Sequence, residues 1–100
     1  MKKIILVTGA GSGFGKLTAR VLAQAGHRVY ASMRGVRGKN ARNAAELELW
    51  AQKAGAQLLP IELDVSSEKS ARQAAAQIFD KEGRIDVVIN NAGMLVIGVT

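Results

Sequence analysis

Apolar positions along the chain switch between two periods. Residues 3–8, KIILVT, are a continuous apolar run, the pattern of a strand covered on both faces. From Phe14 onward, Leu17, Thr18, Val21, Leu22 and Ala25 recur at helical spacing, and Gly26 stops the pattern where a left-handed residue closes a helix. RVYASM, residues 28–33, predicts a second strand. A basic loop with two glycines, Arg34 to Lys39, then leads to a helix from about Asn40 to Ala54 that ends at Gly55. AQLLPIELDV, residues 56–65, predicts a third strand, and Pro60, with no N–H to donate to a ladder, predicts that it lies at an edge. Ser66 or Ser67 is placed to cap a third helix whose buried stripe is Ala71, Ala74, Ala75, Ile78 and Phe79. IDVVIN, residues 85–90, predicts the fourth strand. Strand and helix patterns in alternation are the sequence form of an α/β fold, βαβ units around a parallel sheet. In the doubly wound order 3-2-1-4 the fourth strand sits at an edge, although its sequence reads as central. MLVIGVT, residues 94–100, adds an apolar segment with no charge or cap, so residues 1–100 read as one domain truncated after strand 4, the front of a longer one. There is no internal repeat, low-complexity tract or linker.

Composition narrows the classes. At 48% hydrophobic, the 100 residues suit one modest soluble domain. No apolar run approaches the roughly 20 residues of a membrane span. MKKIILV opens like a signal peptide, but it breaks at Thr8 and Gly9, too early for a cleavable apolar core, which predicts a buried strand in a cytoplasmic protein. With no cysteine and one histidine, disulfides and thiolate metal sites are excluded and a histidine-built metal site is implausible; no metal ligand is assigned. The net charge of +6 is uneven: residues 1–45 hold nine bases and no acid, residues 46–100 five bases and eight acids. The first half should attract an anion, either a nucleic acid or a phosphorylated small molecule.

The candidate chemistry starts in residues 6–22, LVTGAGSGFGKLTARVL. A P-loop ending at Gly15 and Lys16 would need glycine at Ala10 and a hydroxyl residue at Leu17, and the G-x-G-x-x-G turn counted from Gly9 would need glycine at Phe14. The spacing present is T-G-x-x-x-G-x-G, with Thr8, Gly9, Gly13 and Gly15. A strand ending in such a turn aims the first N–H groups of the next helix at whatever lies above the strand tips, an anion site suited to a pyrophosphate. Gly9 would turn the chain sharply, Gly13 would let phosphate approach the backbone, Gly15 would let helix and sheet pack closely, and Ser12 would add a hydroxyl donor. A flexible turn without a ligand is the plainer alternative. At the end of the second strand stand Met33 and Arg34, with no acid within ten residues. An arginine there grips the 2′-phosphate of NADP, whereas an acid would favour the bare ribose of NAD, so NADP is preferred; the alternative is a solvated basic loop.

TGAGSGFG, LDVSS and NNAG follow one another at the ends of strands 1, 3 and 4, and together they resemble the short-chain dehydrogenase/reductase family in its simple single-domain branch. The likeness runs through essentially the whole chain. It implies a Rossmann-type fold and hydride transfer between a nicotinamide and a carbonyl or alcohol substrate. Gly9, Ser12, Gly13 and Phe14 would then line the pyrophosphate and nicotinamide side, with Gly15 serving packing. Arg34 would hold the 2′-phosphate, Asp64 would accept from the adenine amino group, and the Val65 backbone would touch the same ring. Asn91, Ala92 and Gly93 would pass the adenosine ribose, and Asn90 would brace the sheet. Read from the residues alone, Asp64 is equally a helix-start acid beside Ser67, and NNAG an Asx-rich turn.

The family's catalytic tyrosine, lysine, serine and asparagine lie beyond the N-N-A-G motif, and Tyr30, followed four positions later by Arg34, does not match them. No catalytic residue is therefore assigned, and the 100 residues alone are expected to be inactive. Tyr30 and Trp50 read as packing residues and His27 as solvated. The leading reading is the cofactor-binding portion of an NADP-dependent oxidoreductase, homo-oligomeric at full length. The alternative is a non-catalytic NADP-binding sensor or interaction module. A nucleic-acid-binding domain rests only on the basic half and lacks an aromatic platform or helix-turn-helix pattern.

Overall fold

Ile4–Val7 form strand β1, buried at every position because apolar layers cover both of its faces. The computed structural model describes residues 2–11 and 13–91. Helix α1 (Gly13–Gln24) leads to β2 (Arg28–Met33), α2 (Ala41–Ala54) to β3 (Gln57–Glu62), and α3 (Glu68–Glu82) to β4 (Val87–Ile89). The four strands pair in parallel in the order β3-β2-β1-β4, the order that the alternation predicts. Gly26 and Gly55 both stand where the pattern stops, the latter closing α2 onto the carbonyls of Ala51 and Gln52. Pro60 sits in β3 at the sheet edge, where its missing N–H removes no ladder bond on the outer side.

Side chains alternate across β1 as the pleat requires. Ile5 and Val7 meet Ala19 and Ala23 of α1 and Ala44, Leu47 and Ala51 of α2, while Ile4 and Leu6 meet Ala74 and Ile78 of α3. The chain therefore crosses on one face between β1 and β3 and on the other between β3 and β4. That change of face opens a crevice beyond the carboxyl ends of β1 and β4, the topological switch point of an open α/β sheet.

Two apolar stripes face differently from the sequence reading. In α1 the packed face is Gly15, Ala19 and Ala23, whereas Phe14, Leu17 and Val21 are 81%, 57% and 54% exposed. Small residues let the helix axis come close to the sheet, and that closeness turns the larger side chains outward. In α3, Ala71, Ala74 and Ile78 are buried as predicted, but Phe79 lies on the exposed shoulder. Ser67, not Ser66, caps α3, its Oγ accepting from the N–H of Ser70 at 3.1 Å. His27 is not simply solvated: half-buried, its Nδ1 accepts from the N–H of Lys3 at 3.0 Å. Trp50 is half-buried against the core, with the Arg20 guanidinium 5.3 Å from its ring centre.

Candidate dinucleotide-binding site

The turn after β1 is built by glycine geometry. Gly9 and Gly13 have φ of 62° and 60°, a left-handed backbone that costs other residues roughly 1–2 kcal/mol. Gly15 is required for a different reason: a Cβ there would stand 2.1 Å from the Gly9 carbonyl oxygen and 2.8 Å from Asn91 Nδ2. The first turn of α1 thus rests directly on the turn that precedes it. A Cβ at Gly13 would meet no described residue within 4 Å, so among the described residues the backbone at the helix start borders open space. No acid stands in that first turn to neutralise the positive end of the helix. Ser12 lies outside the described residues.

Thr8 ties the two strands that flank the crevice. Its N–H donates to the Ile89 carbonyl at 3.0 Å, its hydroxyl donates to Asn90 Oδ1 at 3.1 Å, and that same hydroxyl accepts from the Asn91 N–H at 3.0 Å. Asn90 therefore braces the sheet, and Asn91 is brought beside Gly9 and Gly15 at the crossing of turn and helix. Ala92 and Gly93 lie outside the described residues.

Beyond the ends of β1, β2 and β3, a cavity of about 260 Å³ is lined by Gly9, Met33, Arg34, Leu63, Asp64, Val65 and Ser66. Gly9, Arg34, Asp64 and Val65, named from distant stretches of sequence, thus share one wall system. Asp64 is not the helix cap. Its Oδ1 accepts from the N–H and hydroxyl of Ser66, at 3.0 and 2.6 Å, while its own N–H donates to Ser70 Oγ at 2.9 Å. The Ser66 hydroxyl, then the Ser66 N–H and more weakly the Arg34 charge hold the Asp64 carboxyl below the ordinary carboxylate range. It is ionised at neutral pH and accepts hydrogen bonds only. Phe14 does not line this cavity: it stands exposed in the first turn of α1.

The structure also adds residues that the sequence did not single out. Glu62 stands opposite Met33 in the register of β2 and β3, and its carboxylate accepts the N–H groups of Gly35 and Val36, both at 2.9 Å. Asn40 donates from Nδ2 to the Arg34 carbonyl. An acid does therefore reach the end of β2, from 29 positions beyond Met33 along the chain, but its oxygens are engaged by backbone. Lateral register carries this information, and no local motif does. Tyr30 is buried, its hydroxyl donating to Glu82 at the end of α3, towards the opening ends of the strands and away from the cavity.

An uncompensated helix start whose first turn rests on Gly9, and a cavity that Gly9 shares with a guanidinium and an acceptor-only carboxylate, suit an anionic ligand with a ring bearing an N–H donor. A dinucleotide fits that donor set.

Known proteins give the same architecture. The family model described as short chain dehydrogenase matches residues 3–100. A 3-ketodihydrosphingosine reductase of Bacteroides thetaiotaomicron is 42% identical over 92 residues, which are 92% of this chain and 29% of that protein. Among solved structures, a 7α-hydroxysteroid dehydrogenase complexed with NADH and 7-oxo glycochenodeoxycholic acid superimposes with a TM-score of 0.78 at 34% identity, over 92% of this chain and 34% of that one. An actinorhodin polyketide ketoreductase solved with NADPH gives a TM-score of 0.79 at 31% identity, over 93% and 34%. The chain spans less than a third of the curated relatives' length. The glycine turn, the crevice at the switch point and the match across all but the first two residues lead to one conclusion: this chain belongs to the short-chain dehydrogenase family.

Proposed function

We propose that the chain is the cofactor-binding portion of an NADP(H)-dependent oxidoreductase that moves a hydride between the nicotinamide and a carbonyl or alcohol substrate. The bound cofactor supplies the hydride carrier; the described residues bind and orient it. The observation that carries the reading is the shared cavity of Arg34 and Asp64 at the carboxyl ends of the strands. A guanidinium fork suits a 2′-phosphate, and the carboxylate nearest the end of β2, on Glu62, is already engaged by two backbone N–H groups rather than offered to a ribose. In this reading Gly9, Ser12 and Gly13 surround the pyrophosphate, with Phe14 towards the nicotinamide side. Asp64 and Val65 meet the adenine, and Asn91, Ala92 and Gly93 pass the ribose. The names of relatives, a 3-ketodihydrosphingosine reductase and a retinol dehydrogenase, support a carbonyl or alcohol substrate. We place the protein in the cytoplasm, which its lack of cysteine suits, and expect the full-length protein to assemble with copies of itself.

Calorimetric titration with NADP+ and NAD+ tests this directly. Arg34→Ala is expected to weaken NADP+ binding by about 10- to 100-fold and to leave NAD+ within about twofold. A folded chain that binds NAD+ more tightly than NADP+, or a variant that loses both equally, overturns the NADP(H) assignment.

A further inference from the structure

The turn that carries Arg34 is gripped from two sides. Glu62 ends β3 and reaches past the strand end with both carboxylate oxygens, Oε2 accepting from Gly35 and Oε1 from Val36. Two successive N–H groups converging on one anion form a nest, and here the protein's own carboxylate fills it. From the other side Asn40 holds the Arg34 carbonyl through Nδ2, while its backbone N–H donates to the Gly35 carbonyl at 2.7 Å. Asn43 in turn donates to Asn40 Oδ1 at 2.9 Å, and that oxygen lies 3.3 Å from where a Cβ at Gly11 would stand. The clamp is therefore continuous with the glycine turn.

Its placement separates support from contact. Arg34 lines the cavity with Gly9 and Asp64, whereas Glu62 lines a different hollow with Val36 and Arg37. Glu62 pulls on the turn from behind and does not enter the cavity. The Arg34 side chain is exposed and long, so its direction depends on how firmly the backbone beneath it is held. Glycine at position 35, with φ of 72°, makes that backbone loose unless something fixes it.

We propose that Glu62 is a positioning residue for nucleotide selection: by filling the Gly35–Val36 nest it orders the turn from which Arg34 reaches the 2′-phosphate. The proposal rests on the NADP(H) reading above. Without the clamp, the entropy of ordering residues 34–36 is lost at binding instead of at folding, and only the phosphorylated nucleotide bears that loss. Charge alone predicts the opposite. Removing an anion near a phosphate site should tighten NADPH binding, but an exposed carboxylate bonded to two N–H groups acts weakly at a distance through salt water.

The test measures dissociation constants for NADPH and NADH in the full chain for wild type, Glu62→Ala, Glu62→Gln and Arg34→Ala. It also measures hydrogen exchange of the Gly35 and Val36 amides without nucleotide. Glu62→Ala should weaken NADPH about tenfold, leave NADH within about twofold and speed exchange at both amides; Glu62→Gln, which keeps one acceptor, should fall between. Equal weakening of both nucleotides means a purely structural role and overturns the proposal, as does an unchanged NADPH/NADH ratio or tighter NADPH binding. If Arg34→Ala abolishes the preference and Glu62→Ala does not, the clamp fails while the NADP(H) reading stands. If Arg34→Ala leaves the ratio untouched, both fail.

Discussion

Gly15→Ala is expected to destabilise the fold by about 3 kcal/mol or more and to remove nucleotide binding even at temperatures where the variant stays folded. The added methyl would sit 2.1 Å from the Gly9 carbonyl oxygen, a backbone atom held in a left-handed turn, and no rotamer relieves that contact. Asn91 Nδ2 at 2.8 Å can swing away; the Gly9 carbonyl cannot move without the end of β1. Either α1 lifts from the sheet, opening space beside Ala19 and Ala23, or the turn unwinds. Both displace the helix-start N–H groups by a large fraction of an ångström, and anion binding by such groups falls steeply with misplacement. For a chain of this size each kcal/mol lowers Tm by roughly 4–8 °C, so a fall of at least ~12 °C is expected by calorimetry. Gly13→Ala is the contrasting case. Its methyl would meet no described residue within 4 Å, and among these only the φ of 60° opposes it, at about 1 kcal/mol. Its loss of NADP+ affinity should therefore exceed its loss of stability, because the methyl would occupy the space proposed for phosphate. If Gly15→Ala melts within about 2 °C of the wild type, the close crossing of turn and helix does not hold the fold together.

The same glycines mark what the sequence made legible. Strand and helix order could be read because period 2 or continuous apolar runs alternate with period 3.6, and the order β3-β2-β1-β4 follows from short connections in a doubly wound sheet. Which face of α1 packs could not be read from hydrophobicity, since Phe14, Leu17 and Val21 outrank Gly15, Ala19 and Ala23 on any scale. Close helix-sheet packing selects for small volume, and the larger apolar side chains are left on the exposed side of the helix. Gly9 and Arg34 were named from the turns that follow the first two predicted strands, and Asp64 and Val65 from the resemblance that LDVSS carries; the topology gathers all four around one cavity. Glu62 escaped because a search for acids near Met33 ran along the chain, whereas the decisive neighbour lies across the ladder. Asn40 escaped likewise, as an ordinary residue before a helix whose side chain turns back to a carbonyl instead of capping α2.

Glu82→Ala is expected to cost about 2–3 kcal/mol of stability at neutral pH without changing the relative affinities for the two nucleotides. Glu82 ends α3, and its Oε2 accepts from both the Tyr30 hydroxyl and Arg28 Nε, joining that helix to the start of β2. The Glu82 and Arg28 side chains are 11% and 20% exposed, so removing the carboxylate leaves a guanidinium and a phenol short of a partner in a poorly solvated place. The Tyr30 hydrogen bond, with Arg28 behind it, lowers the Glu82 carboxyl from its ordinary value despite the opposing effect of burial. A lowered folded-state pKa means that the unfolded chain binds the proton more readily, so this stabilisation is present above the ordinary glutamate value of about 4.3 and is lost as pH falls through the lower folded value. Tyr30 runs the other way. Burial first, then the bond to Glu82, raises its pKa, and its contribution holds below the ordinary tyrosine value of about 10 and disappears as pH rises through the folded one. Glu82→Gln isolates the charge, because the amide oxygen still accepts from Tyr30 but carries no charge to pair with Arg28. Urea melts across this range should show a gap between wild type and Glu82→Gln that is widest at neutral pH and narrows below about pH 4. Asp64 and Asp86, also lowered, destabilise both proteins alike in acid and cancel in that difference. A gap that stays constant from about pH 7 to pH 3 would mean that Glu82 stabilises by shape and hydrogen bonding alone, and that its charge contributes nothing.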